Sequence, residues 1–180
     1  MKWVAEVHIQ GVRLIEHAIN PDHRGSLSTV HRVTETGSFP QWNCIRSGAT
    51  VLRGLHAHLS YDELYIPIHG RMFLLLKDAR INSPSFGAEI SFWSEEIEQK
   101  SIFVPSGVAH GVYFATEAIL FYGLSQIWNG DGEFGCRWND VEIKTEWPAH
   151  NPILSERDAA AGTFSDLAGT LVRTSRQARP

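Results

Sequence analysis

From residue 1 to about residue 140 the chain is a succession of short apolar, β-branched or aromatic runs, each soon closed by Gly, Pro, Asn or Asp. That spacing predicts an all-β sandwich or barrel, because strands carry side chains at period 2 and their reversals need turn residues. The candidate strands are "WVAEVHI", "VRLIEHA", "LSTVHRV", "TVLRGLHAH", "ELYIPIHG", "RMFLLLK", "EISFW", "SIFVP", "GVYFA", "AILFYGLSQ" and "FGCRWN". Few segments carry a helical period. After Trp147 the character changes, and "PAHNPILSERDAAAG" predicts a short helix begun at Ser155 with Asp158 in its first turn. The end, "TSRQARP", reads as short, polar and frayed. The expected organisation is one domain over residues 1–162 and a polar C-terminal tail over residues 163–180.

Within "TVLRGLHAH" (50–58), strict alternation points Val51, Arg53, Leu55 and Ala57 to one side and Leu52, Gly54, His56 and His58 to the other. Both imidazoles then share a face, with Gly54 leaving space beside them. For Arg53 to reach the same ligand, a bulge or the twist of the strand must aim it there.

A chain of 180 residues is long enough to bury one real core without staples. Its formal charge of -4 gives no broad basic field, which disfavours DNA or RNA as a partner. A local arginine cluster can still hold an anionic small molecule. Cys44 and Cys136 read as free thiols in a reducing compartment. The start "MKWVAEVHIQG" lacks the apolar centre and cleavage site of a signal peptide, and no apolar run reaches the roughly 18 residues of a membrane span. The expectation is a cytoplasmic protein with no membrane partner.

His56-x-His58-x4-Glu63-x6-Gly70, followed by Pro105-x-Gly107-x2-His110, resembles the paired motifs of metal-binding cupins. Two imidazoles one residue apart share a strand face, and a carboxylate from the next strand can close a site around Mn, Fe, Ni or Zn. The candidate metal set is therefore His56, His58, Glu63 and His110. Thr50 replaces the motif's leading glycine, and Phe114 replaces the asparagine of its second half.

The segments "PDHRG" (21–25), "QWNCIRSGATVLRGLH" (41–56), "KDARINSPSFG" (77–87), "VPSGVAHG" (104–111), "EFGCRWND" (133–140) and "WPAHNPILSERD" (147–158) resemble, in order, those of the dTDP-4-dehydrorhamnose 3,5-epimerase family. The resemblance implies a cupin double-stranded β-helix, or jelly roll, with a short helical C-terminal segment. It further implies an isomerase of a dTDP-4-keto-6-deoxyhexose, a homodimer, and no required cofactor. By position, His56 is the base that removes the proton beside the ketone, oriented by Asp158. Arg24, Gln41, Asn43 and Arg53 would contact the nucleotide diphosphate and the sugar, with His110 near the sugar. The pairing is chemically sound: a carboxylate behind an imidazole fixes its tautomer and raises its basicity, and arginine suits bidentate phosphate contacts.

Several positions depart from the family pattern. Trp128 stands where the family has its second catalytic residue, a tyrosine, and an indole has no proton to give at neutral pH. Glu63 aligns with the family's lysine, and a carboxylate there would repel a developing enolate. His58 replaces a glutamine, and Thr29 a glutamate. Two repairs are open: a divalent cation acting as electrophile in place of the lysine, or a metal-free site in which His58 or Glu63 acts as the acid. The first repair, with His56, His58, Glu63 and His110 as the ligands, meets a conflict, because His56 cannot be a ligand and a free base at once. "RGLHAH" is also similar to the strand of sugar 3,4-ketoisomerases. A metal-dependent cupin of different chemistry and a non-catalytic nucleotide-sugar-binding cupin are compatible with the same departures.

Overall fold

The computed structural model describes residues 2–6, 8–97 and 100–177. Its strands are β1 (Lys2–Glu6), β2 (Arg13–Glu16), β3 (Ile19–Asp22), β4 (Gly25–Ser28), β5 (Gln41–Ser47), β6 (Val51–His58), β7 (Glu63–His69), β8 (Met72–Asp78), β9 (Glu89–Trp93), β10 (Lys100–Val104), β11 (Val108–Phe114), β12 (Ala118–Leu124) and β13 (Glu133–Gly135). Three helices accompany them: α1 (Val33–Thr36), α2 (Glu156–Ala159) and α3 (Phe164–Gln177). The strands form a six-stranded sheet ordered β1-β2-β10-β7-β12-β5 and a five-stranded sheet ordered β13-β6-β11-β8-β9, with β3 and β4 as a separate hairpin. Every pairing between these strands is antiparallel. From β5 to β8 and again from β9 to β13 successive strands alternate between the sheets, which is the jelly roll the sequence resemblance implies.

The main core lies between the sheets, where Leu74, Leu76, Val112 and Phe114 of one meet Ile102, Val104, Leu120 and Tyr65 of the other. A second cluster covers the outer face of the five-stranded sheet, joining Leu55, Ala57, Leu75 and Ala109 to Cys136 and to Phe164, Leu167 and Leu171 of α3. Burial on both faces explains why "MFLLLKD" of β8 is buried at every position and shows no polar alternation.

Three expectations change. Residues 163–180 are not a polar tail: Phe164–Gln177 are helical, and Phe164, Leu167, Ala168 and Leu171 are buried. Their spacing is one helical stripe, which a mostly polar composition conceals. Of the expected end "TSRQARP", Thr174–Gln177 belong to this helix, and residues 178–180 lie outside the described residues. "LSTVHRV" is a strand only at its first two residues; it then leaves the sheet and turns into α1, where His31 Nδ1 meets Thr36 Oγ1 at 2.6 Å. β5 escaped the apolar-run reading because it is built the other way round, with half-buried Gln41 and Asn43 alternating with exposed Trp42 and Cys44. Among the described residues no helix is long and apolar enough to cross a membrane.

Candidate active site

A cavity of about 770 Å³ opens between the sheets. It is lined by Gln41 and Asn43 of β5, Arg53, His56 and His58 of β6, Glu63 and Tyr65 of β7, His110 of β11 and Tyr122 of β12. Trp128, Glu133, Arg157 and Asp158 close its rim. Arg53 and His56 both face it although strict alternation sets them on opposite sides. The pairing of β6 with β11 slips by one residue between His110 and Val112: His56 lies opposite His110, but Arg53 lies opposite Val112. That bulge turns Leu52 and Leu55 outward and leaves Arg53 and His56 inward. Gly54 makes it fit, with φ of +120° and a missing Cβ that would lie 2.7 Å from Gly111 Cα and from His110 O.

His56 Nε2 and Asp158 Oδ1 are 2.7 Å apart, and Asp158 Oδ2 accepts the Gly54 N–H at 3.3 Å. The carboxylate is placed by α2, whose N-cap Ser155 accepts the Asp158 N–H through its hydroxyl at 3.1 Å. Burial alone would raise the Asp158 carboxyl, but the His56 hydrogen bond, its charge, the Gly54 N–H and Arg157 outweigh that and bring it down to about 2. An ionised Asp158 favours the proton of a neutral His56 on Nε2, while Nδ1 lies 3.5 Å from Glu133 Oε1. Arg157 spans the same corner: Nη1 is 2.8 Å from Glu133 Oε1, Nη2 is 2.6 Å from His56 Nε2, and Nε is 3.4 Å from Asp158 Oδ1. One nitrogen cannot both donate to Asp158 and accept from Arg157, so the guanidinium competes with the carboxylate for the imidazole edge.

Deeper in the cavity His58, Glu63 and His110 converge. Glu63 Oε2 is 2.9 Å from His110 Nε2, and Glu63 Oε1 is 3.5 Å from His58 Nε2. Tyr61 Oη lies 2.7 Å from His58 Nδ1, with its ring stacked on the imidazole. Burial would raise the Glu63 carboxyl, but the His110 and His58 imidazoles hold it well below the usual carboxylate range. At His58 burial prevails and lowers the imidazole; at His110 the Glu63 charge overcomes burial and raises it. Burial, reinforced by the Glu63 charge, pushes the Tyr61 and Tyr65 phenols up, so both stay protonated.

The structure thus brings together nine of the expected residues: His56, Asp158, His58, Glu63, His110, Arg53, Gln41, Asn43 and Trp128. It divides the expected metal set, since the convergent group is His58, Glu63 and His110, while His56 is engaged by Asp158. Arg24 stands apart on the projecting β3–β4 hairpin, paired with Asp22 at 2.6 Å. Trp128 is half-exposed at the mouth, its backbone N–H donating to Gln41 Oε1 at 2.9 Å. Sequence reasoning passed over Arg157, Glu133, Tyr61, Tyr65 and Tyr122. Arg157 and Glu133 lie inside the matched segments "LSERD" and "EFGCRWND", so a position-by-position reading had the signal. Tyr65 and Tyr122 sit in apolar runs, where they read as core, and Tyr61 sits in a polar loop between Ser60 and Asp62.

Comparison with known proteins agrees with this geometry. The sequence profile of the dTDP-4-dehydrorhamnose 3,5-epimerases matches residues 6–166. The chain is 34% identical over 133 residues to the dTDP-4-dehydrorhamnose 3,5-epimerase of Pseudomonas aeruginosa, covering 72% of this chain and 74% of that one. It is 30% identical over 174 residues to the enzyme of the same name from Shigella flexneri, covering 91% and 96%. The fold superposes on the Mycobacterium tuberculosis rmlC epimerase with a TM-score of 0.85 and 30% identity, over 98% of this chain and 97% of that one. It matches a Legionella pneumophila dTDP-6-deoxy-D-glucose-3,5-epimerase, solved in complex with dTDP-4-keto-L-rhamnose, at a TM-score of 0.84 and 26% identity, over 94% and 96%. With the His56–Asp158 pair in place and both kinds of match running through nearly the whole chain, this protein belongs to the dTDP-4-dehydrorhamnose 3,5-epimerase family.

Proposed function

We propose that the cavity binds a dTDP-4-keto-6-deoxyhexose and isomerises it by removing and returning a proton on a carbon next to the C4 ketone. The observation that carries this reading is the His56–Asp158 pair, 2.7 Å apart at the wall of a cavity large enough for a sugar and part of a nucleotide. His56 is the base and Asp158 its positioning residue. Arg53, held by Ser47 Oγ at 3.1 Å, serves the diphosphate, and Gln41 and Asn43 serve the sugar or nucleotide from the facing sheet. His110 lies opposite His56 on the neighbouring strand, with ring centroids 6.5 Å apart, so both imidazoles face the same part of the cavity. Moving a proton off and back is redox-neutral, so the reaction itself needs no redox cofactor. Trp128 covers the mouth as an apolar wall, and the phenols of Tyr61, Tyr65 and Tyr122 line the cavity as proton donors.

The outer face of the six-stranded sheet exposes Trp42, Phe121 and Ile68, which supports a homodimer. The projecting hairpin supports the same reading, since from it Arg24 would serve a neighbouring copy's cavity. The free thiols Cys44 and Cys136 fit a reducing cytoplasm. Incubation of dTDP-4-keto-6-deoxyglucose with the protein in D2O tests the activity: deuterium appears at C3, at C5 or at both. Absence of exchange at either carbon, with the nucleotide sugar shown to be bound, overturns the reading in favour of a binding module.

A further inference from the structure

Glu63 occupies the place of an expected lysine, and proton transfer at His56 gives it no task. Its surroundings do. His58, Glu63 and His110 come from three different strands, with side-chain exposures of 7%, 4% and 5%. One donor atom from each lies within 4.8 Å of the other two. A cation bound at about 2.0–2.2 Å holds neighbouring ligands roughly 3 Å apart, so little movement is needed.

The second nitrogens of both rings are already engaged. His110 Nδ1 lies 3.1 Å from the Val108 carbonyl oxygen, which can only accept, so the proton of a neutral ring sits on Nδ1 and Nε2 carries a lone pair. Tyr61 Oη at 2.7 Å from His58 Nδ1 can accept the proton there and set the same tautomer. Both Nε2 atoms then face the Glu63 carboxylate. Glu63 Oε2 is buried and lies 2.9 Å from His110 Nε2. With both rings neutral, two imidazole lone pairs and a carboxylate share one buried space and repel, and either a proton on His110 or a positive ion among the three removes the repulsion.

We propose that His58 Nε2, His110 Nε2 and the Glu63 carboxylate form a binding site for one divalent transition cation, with Tyr61 and the Val108 carbonyl as the outer groups that orient the rings. Two imidazoles and one carboxylate suit Zn, Fe, Ni or Mn and leave coordination positions open toward the cavity. His56 is outside the set, which removes the conflict of one imidazole serving as ligand and base. What the cation does for the reaction rests on the proposed function: it puts positive charge beside the C4 oxygen, where the aligned lysine would have acted.

The site is tested without activity. Protein stripped with a chelator and dialysed is titrated with Zn2+ by calorimetry, and crystals soaked in Zn2+ are measured at the zinc edge. One equivalent is expected, with an anomalous peak between His58, Glu63 and His110. Tyr61→Phe is expected to weaken binding about 10- to 100-fold, the usual cost of losing an outer partner, and Glu63→Gln by more than that. Circular dichroism shows whether each variant is folded, and the wild-type peak decides the matter if Glu63→Gln is not. A site without an anomalous peak at saturating Zn2+, or Glu63→Gln binding as tightly as wild type, overturns the proposal and leaves a protonated His110 paired with Glu63. Deuterium exchange can fail while Zn2+ binds, or the reverse, so the two readings fall separately.

Discussion

Asp158 is the residue on which stability and chemistry meet. Its carboxyl is about 2 in the folded chain against 3.8 for an ordinary aspartate, so folding favours the ionised form. A depressed carboxyl contributes stability above the unfolded value and loses it as pH falls from about 4 through about 2. The shift corresponds to roughly 2 kcal/mol. Denaturant unfolding should therefore show wild type losing about 2 kcal/mol more than Asp158→Asn between pH 6 and pH 2. The same variant should lower kcat with little change in KM, since Asp158 touches the base and not the sugar. Trp128 gives the complementary test by gain. If its indole is what denies the chain a second acid, Trp128→Tyr should add C5 exchange, read by NMR, to whatever wild type shows; a tyrosine that adds none places the acid elsewhere in the cavity. His56 and Asp158 were legible in the sequence because the motif fixes both type and order. Tyr65 and Tyr122 were not, because a tyrosine in an apolar run looks alike whether its hydroxyl meets water, core or ligand.

At the scale of elements, β6 shows what local pattern can and cannot say. Period-2 alternation correctly put His56 and His58 on one face, and the need for a bulge to aim Arg53 was visible in advance. Its position was not, because the slip is set by Gly111 of a strand more than fifty residues later. β5 went unseen because polar Gln41 and Asn43 face inward and apolar Trp42 and Cys44 outward, and α3 because its apolar stripe is narrow and composition averages it away. α3 now carries a prediction. Phe164 is fully buried against the outer face of the five-stranded sheet, with Lys77 Nζ 4.5 Å above its ring. Phe164→Ala should cost about 3–5 kcal/mol in urea unfolding. A cost within about ±0.5 kcal/mol, the range of ordinary surface substitutions, would mean that α3 is not part of the folded core.

At the scale of the whole molecule, the run of short strands identified the all-β class, and ordered motifs identified the family. The two-sheet topology follows from long-range pairing that no local window contains. It matters for function because the sheets supply opposite walls. The proposed base, His56, stands on the five-stranded sheet, while Glu63, Tyr65, Tyr122, Gln41 and Asn43 stand on the facing one. In the proposed reading a sugar between them would meet the base on one side and the Tyr65 and Tyr122 phenols on the other, and inversion at a carbon beside a ketone requires such a proton acceptor and donor on opposite faces. The most direct measurement is deuterium incorporation into dTDP-4-keto-6-deoxyglucose by wild type and by His56→Ala, followed by NMR at equal occupancy of the site. Exchange slower in the variant by about 10²- to 10⁴-fold is the expected result; exchange at the wild-type rate in His56→Ala would contradict the assignment of His56 as the base.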